Sequence, residues 1–244
     1  MAQAQHTVSS FDTELRELSK IILSMGEQAA QSVALATAAL EKGNLPQAQQ
    51  VVNGDRSIDN LQHRLEEQAI SLIARRQPVA GDLREIIAGV RIANDFERIG
   101  DLSKNIAKRT LAISGGEVWP IAATGLGKLA ERVKAQLARV IVSYQERDDA
   151  KALGVWGSDH EIDALHTSLF RELLTYMMEN PRNIGSCAHL LFCAKNLERI
   201  GDHATNIAET VHYMLSGEFV LAERPRADDS SAMSTELPLP PWKG

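Results

Sequence analysis

The chain has 244 residues, 44% of them apolar and 24% charged, the balance of a soluble globular protein and not of a disordered or fibrous one. Aromatics at 5%, with abundant Ala and Leu, favour helix bundles over sandwiches or barrels. A formal net charge of −6 argues against a nucleic-acid binder, which would show a basic face, and fits metal cations or basic partner surfaces better.

Six amphipathic segments follow in chain order. The first covers about 11–42, with Leu15, Leu18, Ile22, Met25, Ala29, Val33, Ala36 and Leu40 on one stripe. Gly43-Asn-Leu-Pro46 punctuates it. The second covers about 45–76 on Val51, Ile58, Leu61, Leu65 and Leu72, and is predicted as one continuous helix. Pro78-Val-Ala-Gly81 makes a turn, Asp82 is the expected N-cap, and the third helix spans about 82–114. Gly115-Gly116 closes this unit. A second unit repeats the order with helices near 121–146, 149–179 and 183–216, the last two separated by a turn at Asn180-Pro181. The final helix carries a seam of Leu190, Cys193, Leu197, Ile200, Ala204, Ile207, Val211 and Met214, alternately three and four apart, which is bundle packing.

The predicted fold is therefore all-α: two tandem three-helix bundles related by internal duplication, at 11–116 and 117–217, with a flexible proline-containing tail at 222–244. Cys187 and Cys193 lie six apart and read as buried core thiols, ahead of a redox or ligand role. The first residues lack the basic-then-apolar order of a signal peptide. No apolar run approaches the roughly 18 residues that span a bilayer, so the expectation is a cytoplasmic protein.

The duplication is sharpest where Ala93-Asn-Asp-Phe-Glu-Arg-Ile-Gly-Asp-Leu-Ser-Lys-Asn-Ile-Ala107 matches Ala194-Lys-Asn-Leu-Glu-Arg-Ile-Gly-Asp-His-Ala-Thr-Asn-Ile-Ala208 at nine positions without a gap. Each copy sets two acids four residues apart, Glu97/Asp101 and Glu198/Asp202, on one helical face with Cβ atoms about 5–6 Å apart. The preceding helices carry their own matched pairs, Asp55/Asp59 and Asp159/Asp163. Asp59 and Glu97 each stand 19 residues from Pro78, and Asp55 and Asp101 each stand 23. Asp163 and Glu198 stand 18 and 17 from Pro181, Asp159 and Asp202 22 and 21. Helices joined by a short turn pack antiparallel and rise about 1.5 Å per residue, so the four acids of a unit arrive at one height.

Like charges so gathered require a counter-charge. A solvated acidic face is the ordinary fate of helical acids, but four matched pairs in two copies favour metal. Hard oxygens suit Fe, Mn, Mg, Ca or, less well, Zn. Asn105 and Asn206, one turn further on, are secondary candidates, as is Glu209, whose counterpart Lys108 is basic. Gly100 and Gly201 imply close approach by a backbone or a ligand, or tight helix packing. Arg98 and Arg199 are read as structural partners of the acids.

Asn94-Asp-Phe-Glu-Arg-Ile-Gly-Asp101 and Asn196-Leu-Glu-Arg-Ile-Gly-Asp-His203, in two three-helix repeats, resemble the PhoU family of regulators of bacterial phosphate-specific transport. Arg75-Arg-Gln-Pro78 fits the same pattern, and the likeness covers about 11–217. The resemblance implies a cytoplasmic, homodimeric, all-helical protein whose E/D-x-x-x-D motifs bind iron or zinc clusters. It implies a negative regulator of the phosphate-starvation response, with a phosphate ABC transporter and its sensor histidine kinase as partners. The alternative is a carboxylate-bridged di-iron enzyme, for which Glu209-Thr-Val-His212 and Asp163-x-x-His166 are the candidate Glu-x-x-His-type motifs. A purely structural bundle without metal is the third reading. No nucleophile elbow or phosphate-binding glycine loop is present.

Overall fold

The computed structural model describes residues 2–113 and 119–220, with side-chain surroundings for 11–113 and 125–220. The described residues form helices and no strand: α1 (Ala2–Lys42), α2 (Leu45–Gly54), α3 (Arg56–Arg76), α4 (Ala80–Ala112), α5 (Trp119–Gln145), α6 (Asp149–Trp156), α7 (His160–Glu179) and α8 (Ile184–Ser216). The Gly115-Gly116 linker and the tail at 222–244 lie outside the described residues.

Two predicted helices are each broken in two. The 45–76 segment divides at Asp55, and the 149–179 segment divides at 157–159. Gly54 ends α2 and Gly157 caps α6, so each break follows a residue that costs a helix about 1 kcal/mol relative to alanine. The consequence is functional. Asp55 and Asp159 become the residues immediately before α3 and α7, where the helix dipole favours a negative charge.

Turn chemistry accounts for the remaining boundaries. Gly43 takes φ 61°, and the Asn44 side chain caps α2 by accepting from Gln47 N at 3.1 Å. Gln77 closes α3 in the left-handed region, its N–H bonded to Ile73 O. The helix after it begins at Ala80 with Val79 as its N-cap, so Asp82 lies in the first turn instead of capping it. A single 3-10 turn at Pro181–Asn183 joins α7 to α8.

The two repeats do not keep separate cores. Helices α1, α4, α8 and α5 contact one another in a closed ring, α2 and α3 pack on α1 and α4, and α6 and α7 pack on α5 and α8. One apolar cluster runs through both repeats. Every residue of the α8 seam is buried, and so is the α1 stripe from Leu18 to Leu40. The ring is pinned where α4 meets α8: Arg109 Nη1 lies 3.3 Å from His189 Nδ1, its guanidinium stacks on Phe192, and His203 Nδ1 lies 2.9 Å from Asp95 Oδ1. Cys187 and Cys193 are free and buried in this core, and desolvation pushes the Cys193 thiol up to about 12. They are core residues, as the spacing indicated. No described helix is long and apolar enough to cross a membrane.

Candidate functional site

The ring places the two acid-bearing grooves, α3/α4 and α7/α8, on opposite flanks. Within each groove the spacing of helices is set by one contact. A Cβ at Gly100 would meet Ile58 Cδ1 at 2.9 Å, and one at Gly201 would meet Ile162 Cδ1 at 2.8 Å. The close approach at both glycines is thus side-chain packing from the neighbouring helix, and it seats α3 and α7 by the residue that precedes Asp59 and Asp163. Gly201→Val is expected to cost about 2 kcal/mol through overpacking, read as a lowered urea midpoint. Gly81→Ala, where nothing lies within 4 Å of the added Cβ, is the control and should not lower the midpoint.

In the first groove Asp55 is buried, and Asp59, Glu97 and Asp101 are partly buried. The Lys104 ammonium reaches across from α4 to form an ion pair with Asp55 Oδ2, and lies 3.4 Å from Asp101 Oδ1. Arg98 stands 3.3 Å from Glu97 Oε2 and 3.8 Å from Asp101 Oδ2, the structural role its position suggested. The contact to Glu97 lacks hydrogen-bond geometry, so this buried Oε2 receives no hydrogen bond. Desolvation raises the Glu97 carboxyl above its usual range, with Asp101, Asp59 and Asp55 adding to the rise and Arg98 opposing it. Burial likewise raises Asp59, reinforced by Asp55 and Asp101 against Lys104 and His63. The four acids named from sequence therefore sense one another's charge.

The second groove is more deeply buried. Asp159, Asp163 and Glu198 are all buried, with Asp202 partly so. Thr205 Oγ1 donates to Asp159 Oδ1 at 2.9 Å and accepts from Gln136 Nε2 of α5 at 2.8 Å. Lys195 Nζ donates to Glu198 Oε1 at 2.7 Å, while Glu198 Oε2 is buried without a hydrogen-bond partner. Desolvation raises the Glu198 carboxyl, helped by Asp202 and Asp163 and opposed by Lys195.

Of the secondary candidates, Asn105 is exposed and Asn206 is half-buried. Glu209 Oε1 accepts from Trp156 Nε1 at 2.9 Å, and His212 Nδ1 lies 2.7 Å from Asp149 Oδ1, so both members of the Glu-x-x-His motif are engaged with α6. The lysines that enter the grooves, and Thr205, were not named as site residues from sequence. Their signal was present as the i, i+3 spacings Lys104/Asp101 and Lys195/Glu198.

Carboxylate oxygens, two of them buried without donors, are the chemistry a hard multivalent cation requires. Among the described residues, no three His, Cys, Asp or Glu side chains stand in an arrangement that could hold a metal ion. In this conformation the lysines supply the counter-charge. The oxygen donor types suit a hard cation, but their arrangement in this conformation does not hold one.

The PhoU domain profile matches residues 22–110 and 126–211, once for each repeat. The chain belongs to the PhoU family. It is 51% identical over 230 residues to the phosphate-specific transport system accessory protein PhoU homolog of Rhizobium meliloti (strain 1021), covering 94% of this chain and 97% of that protein. The homolog of the same description from Caulobacter vibrioides (strain NA1000 / CB15N) is 45% identical over 224 residues, covering 92% and 97%. Among solved structures, PhoU from Pseudomonas aeruginosa superposes with a TM-score of 0.81 at 33% identity, covering 85% of this chain and 100% of that one. The phosphate transport system regulatory protein PhoU from Streptococcus pneumoniae gives 0.78 at 28% identity, covering 86% and 99%. The all-α PhoU fold expected from the duplicated motif is thereby established.

Proposed function

We propose that this PhoU-family chain is a cytoplasmic, non-enzymatic negative regulator of phosphate uptake and of the phosphate-starvation response. It acts as a homodimeric adaptor between a phosphate ABC transporter and its sensor histidine kinase. The observation that carries the reading is the pairing of two acid grooves on opposite flanks of a shared four-helix ring, in a chain whose relatives are named accessory proteins of phosphate-specific transport. Two faces on one rigid body suit a protein that holds two partners. The engagement of Glu209 and His212 by Trp156 and Asp149 weighs against the di-iron enzyme.

In this reading Asp55, Asp59, Glu97 and Asp101, and in the second repeat Asp159, Asp163, Glu198 and Asp202, are the residues that would hold iron, zinc or another multivalent ion. The metal would supply charge that ties α3 to α4 and α7 to α8. Its occupancy affects partner choice only through a difference in affinity between the partner-bound and free forms. The test complements a deletion strain with the wild type and with Asp59→Ala/Glu97→Ala/Asp163→Ala/Glu198→Ala. The quadruple variant should lose most bound metal by elemental analysis and fail to repress a starvation-responsive reporter in phosphate-replete medium. Equal metal content in the two proteins would remove the ligand assignment. A deletion strain with an unaltered reporter would remove the regulatory one.

A further inference from the structure

Helix α4 opens on an apolar stripe left bare by the described residues. Val79, Leu83 and Ile87 recur four apart and are 74%, 37% and 39% exposed. Ile70 of the antiparallel α3 stands eight residues before Pro78, level with Ile86, and is 69% exposed. Four exposed branched side chains at one end of one helical hairpin make an apolar patch of the kind that marks an interaction surface. Two arginines border the stripe on its α8 side. The Arg84 and Arg91 guanidinium carbons lie 5.9 and 6.0 Å from the Tyr213 ring centroid, and Arg84 Nε donates to Met214 O at 3.3 Å. Among the described residues neither arginine forms an ion pair.

The chain leaves α8 at the same place. Gly217 caps α8 at φ 80° with its N–H bonded to Tyr213 O, and a Cβ there would collide with Arg84. The turn brings Phe219 back onto Tyr213, ring on ring at 4.4 Å, so the exiting chain is held beside the two arginines. Beyond Val220 the sequence continues outside the described residues. There Asp228, Asp229 and Glu236 are followed by Leu237-Pro-Leu-Pro-Pro-Trp242, and no basic residue lies between Arg226 and Lys243. Acids beside apolar side chains complement arginines beside an apolar stripe. The sixteen residues from Val220 to Glu236 reach about 50 Å at full extension, against a stripe about 12 Å long. Pro238, Pro240 and Pro241 reduce the freedom lost on docking. We infer that residues 228–242 dock within their own chain on Val79, Leu83 and Ile87, with the acids toward Arg84 and Arg91 and with Leu239 and Trp242 over the aliphatic side chains. A partner that uses this face must first displace the tail. The inference is independent of the acid grooves.

Thiol labelling of the full-length protein tests the assignment. Cys187 and Cys193 are buried, so a thiol introduced at the surface reports alone. Ile87→Cys is labelled with a water-soluble maleimide, by itself and combined with Leu239→Ser/Trp242→Ser. The reagent reaches only the undocked fraction, so the tail substitutions should speed labelling about fivefold or more. Arg91→Glu should speed it about twofold at low salt, where its charge counts most. Gln49→Cys, exposed on α2, is the reference and should not respond to the tail. Docking within one chain is insensitive to dilution, so the Ile87→Cys rate should not depend on protein concentration. Equal rates with and without the tail substitutions would overturn the inference. Protection that grows with protein concentration would also overturn it, by assigning the stripe to a second copy of the chain. Either result leaves the regulatory reading standing.

Discussion

Phe96→Ala is expected to cost about 4 kcal/mol, the middle of the range for removing a buried phenyl ring. For a chain of this size that is a drop of roughly 8–16 °C in Tm. Phe96 is 1% exposed on α4, and its ring lies against α1 and next to α5: a Cβ built on Gly26 would stand 2.9 Å from Phe96 Cζ and 3.3 Å from Ile141 Cγ1. The cavity would open where both repeats meet, bounded by three long helices that cannot collapse independently. A continuous core also dictates the shape of the transition. Wild type and variant should each melt in one cooperative step by circular dichroism. Two separated steps, or a shift under about 3 °C, would contradict the shared core.

The sharing of that core was the part of the fold least legible in the sequence. Apolar periodicity located every segment, because Leu18 to Leu40 and Leu190 to Met214 recur at helical spacing and nothing else explains the recurrence. Periodicity says which face is buried but not what covers it. The sign that α4 serves two partners is the breadth of its apolar face: Ala88, Ile92, Ala93, Phe96, Ile99, Leu102, Ile106 and Ala107 are all buried, more than one seam needs. The breaks before α3 and α7 escaped notice because Gly54 and Gly157 interrupt otherwise regular patterns, where one glycine is often tolerated.

The site divides in the same way. Equal distances from Pro78 placed Asp55, Asp59, Glu97 and Asp101 within mutual electrostatic range, since rise per residue is nearly constant in any helix. Spacing could not show the burial that separates the repeats, nor that Lys104, besides contacting Asp101 on its own helix, crosses to Asp55. An i, i+3 lysine is ordinary on a helix surface and becomes informative only when its partner is buried. The meaning of Gly100 and Gly201, open between ligand and packing in the sequence, is decided by the isoleucines set against them.

Glu198→Gln should change stability in opposite directions with and without a bound cation. Burial raises the folded-state pKa of Glu198 above its ordinary value of 4.5, so between those two values the folded protein holds more protons than the unfolded chain. Stability then falls as pH rises through that window, and the whole penalty is present above the folded-state pKa. Glutamine cannot ionise and escapes the penalty, at the cost of a contact to the half-exposed Lys195 that is worth little. In chelator at pH 8 the variant should be more stable than the wild type by about 1–3 kcal/mol, the cost of a buried unsatisfied acceptor. The gain should shrink as pH falls and vanish below pH 4.5. Saturation with Mn2+ should reverse the order, because the wild type gains about 2.7 kcal/mol at a hundredfold excess over Kd and the variant loses a ligand. Urea midpoints of both proteins at pH 8 and pH 5, each with chelator and with Mn2+, measure all four terms. A variant less stable than the wild type in chelator at pH 8 would show that Lys195 compensates Glu198 fully, leaving no unanswered charge at Glu198 itself.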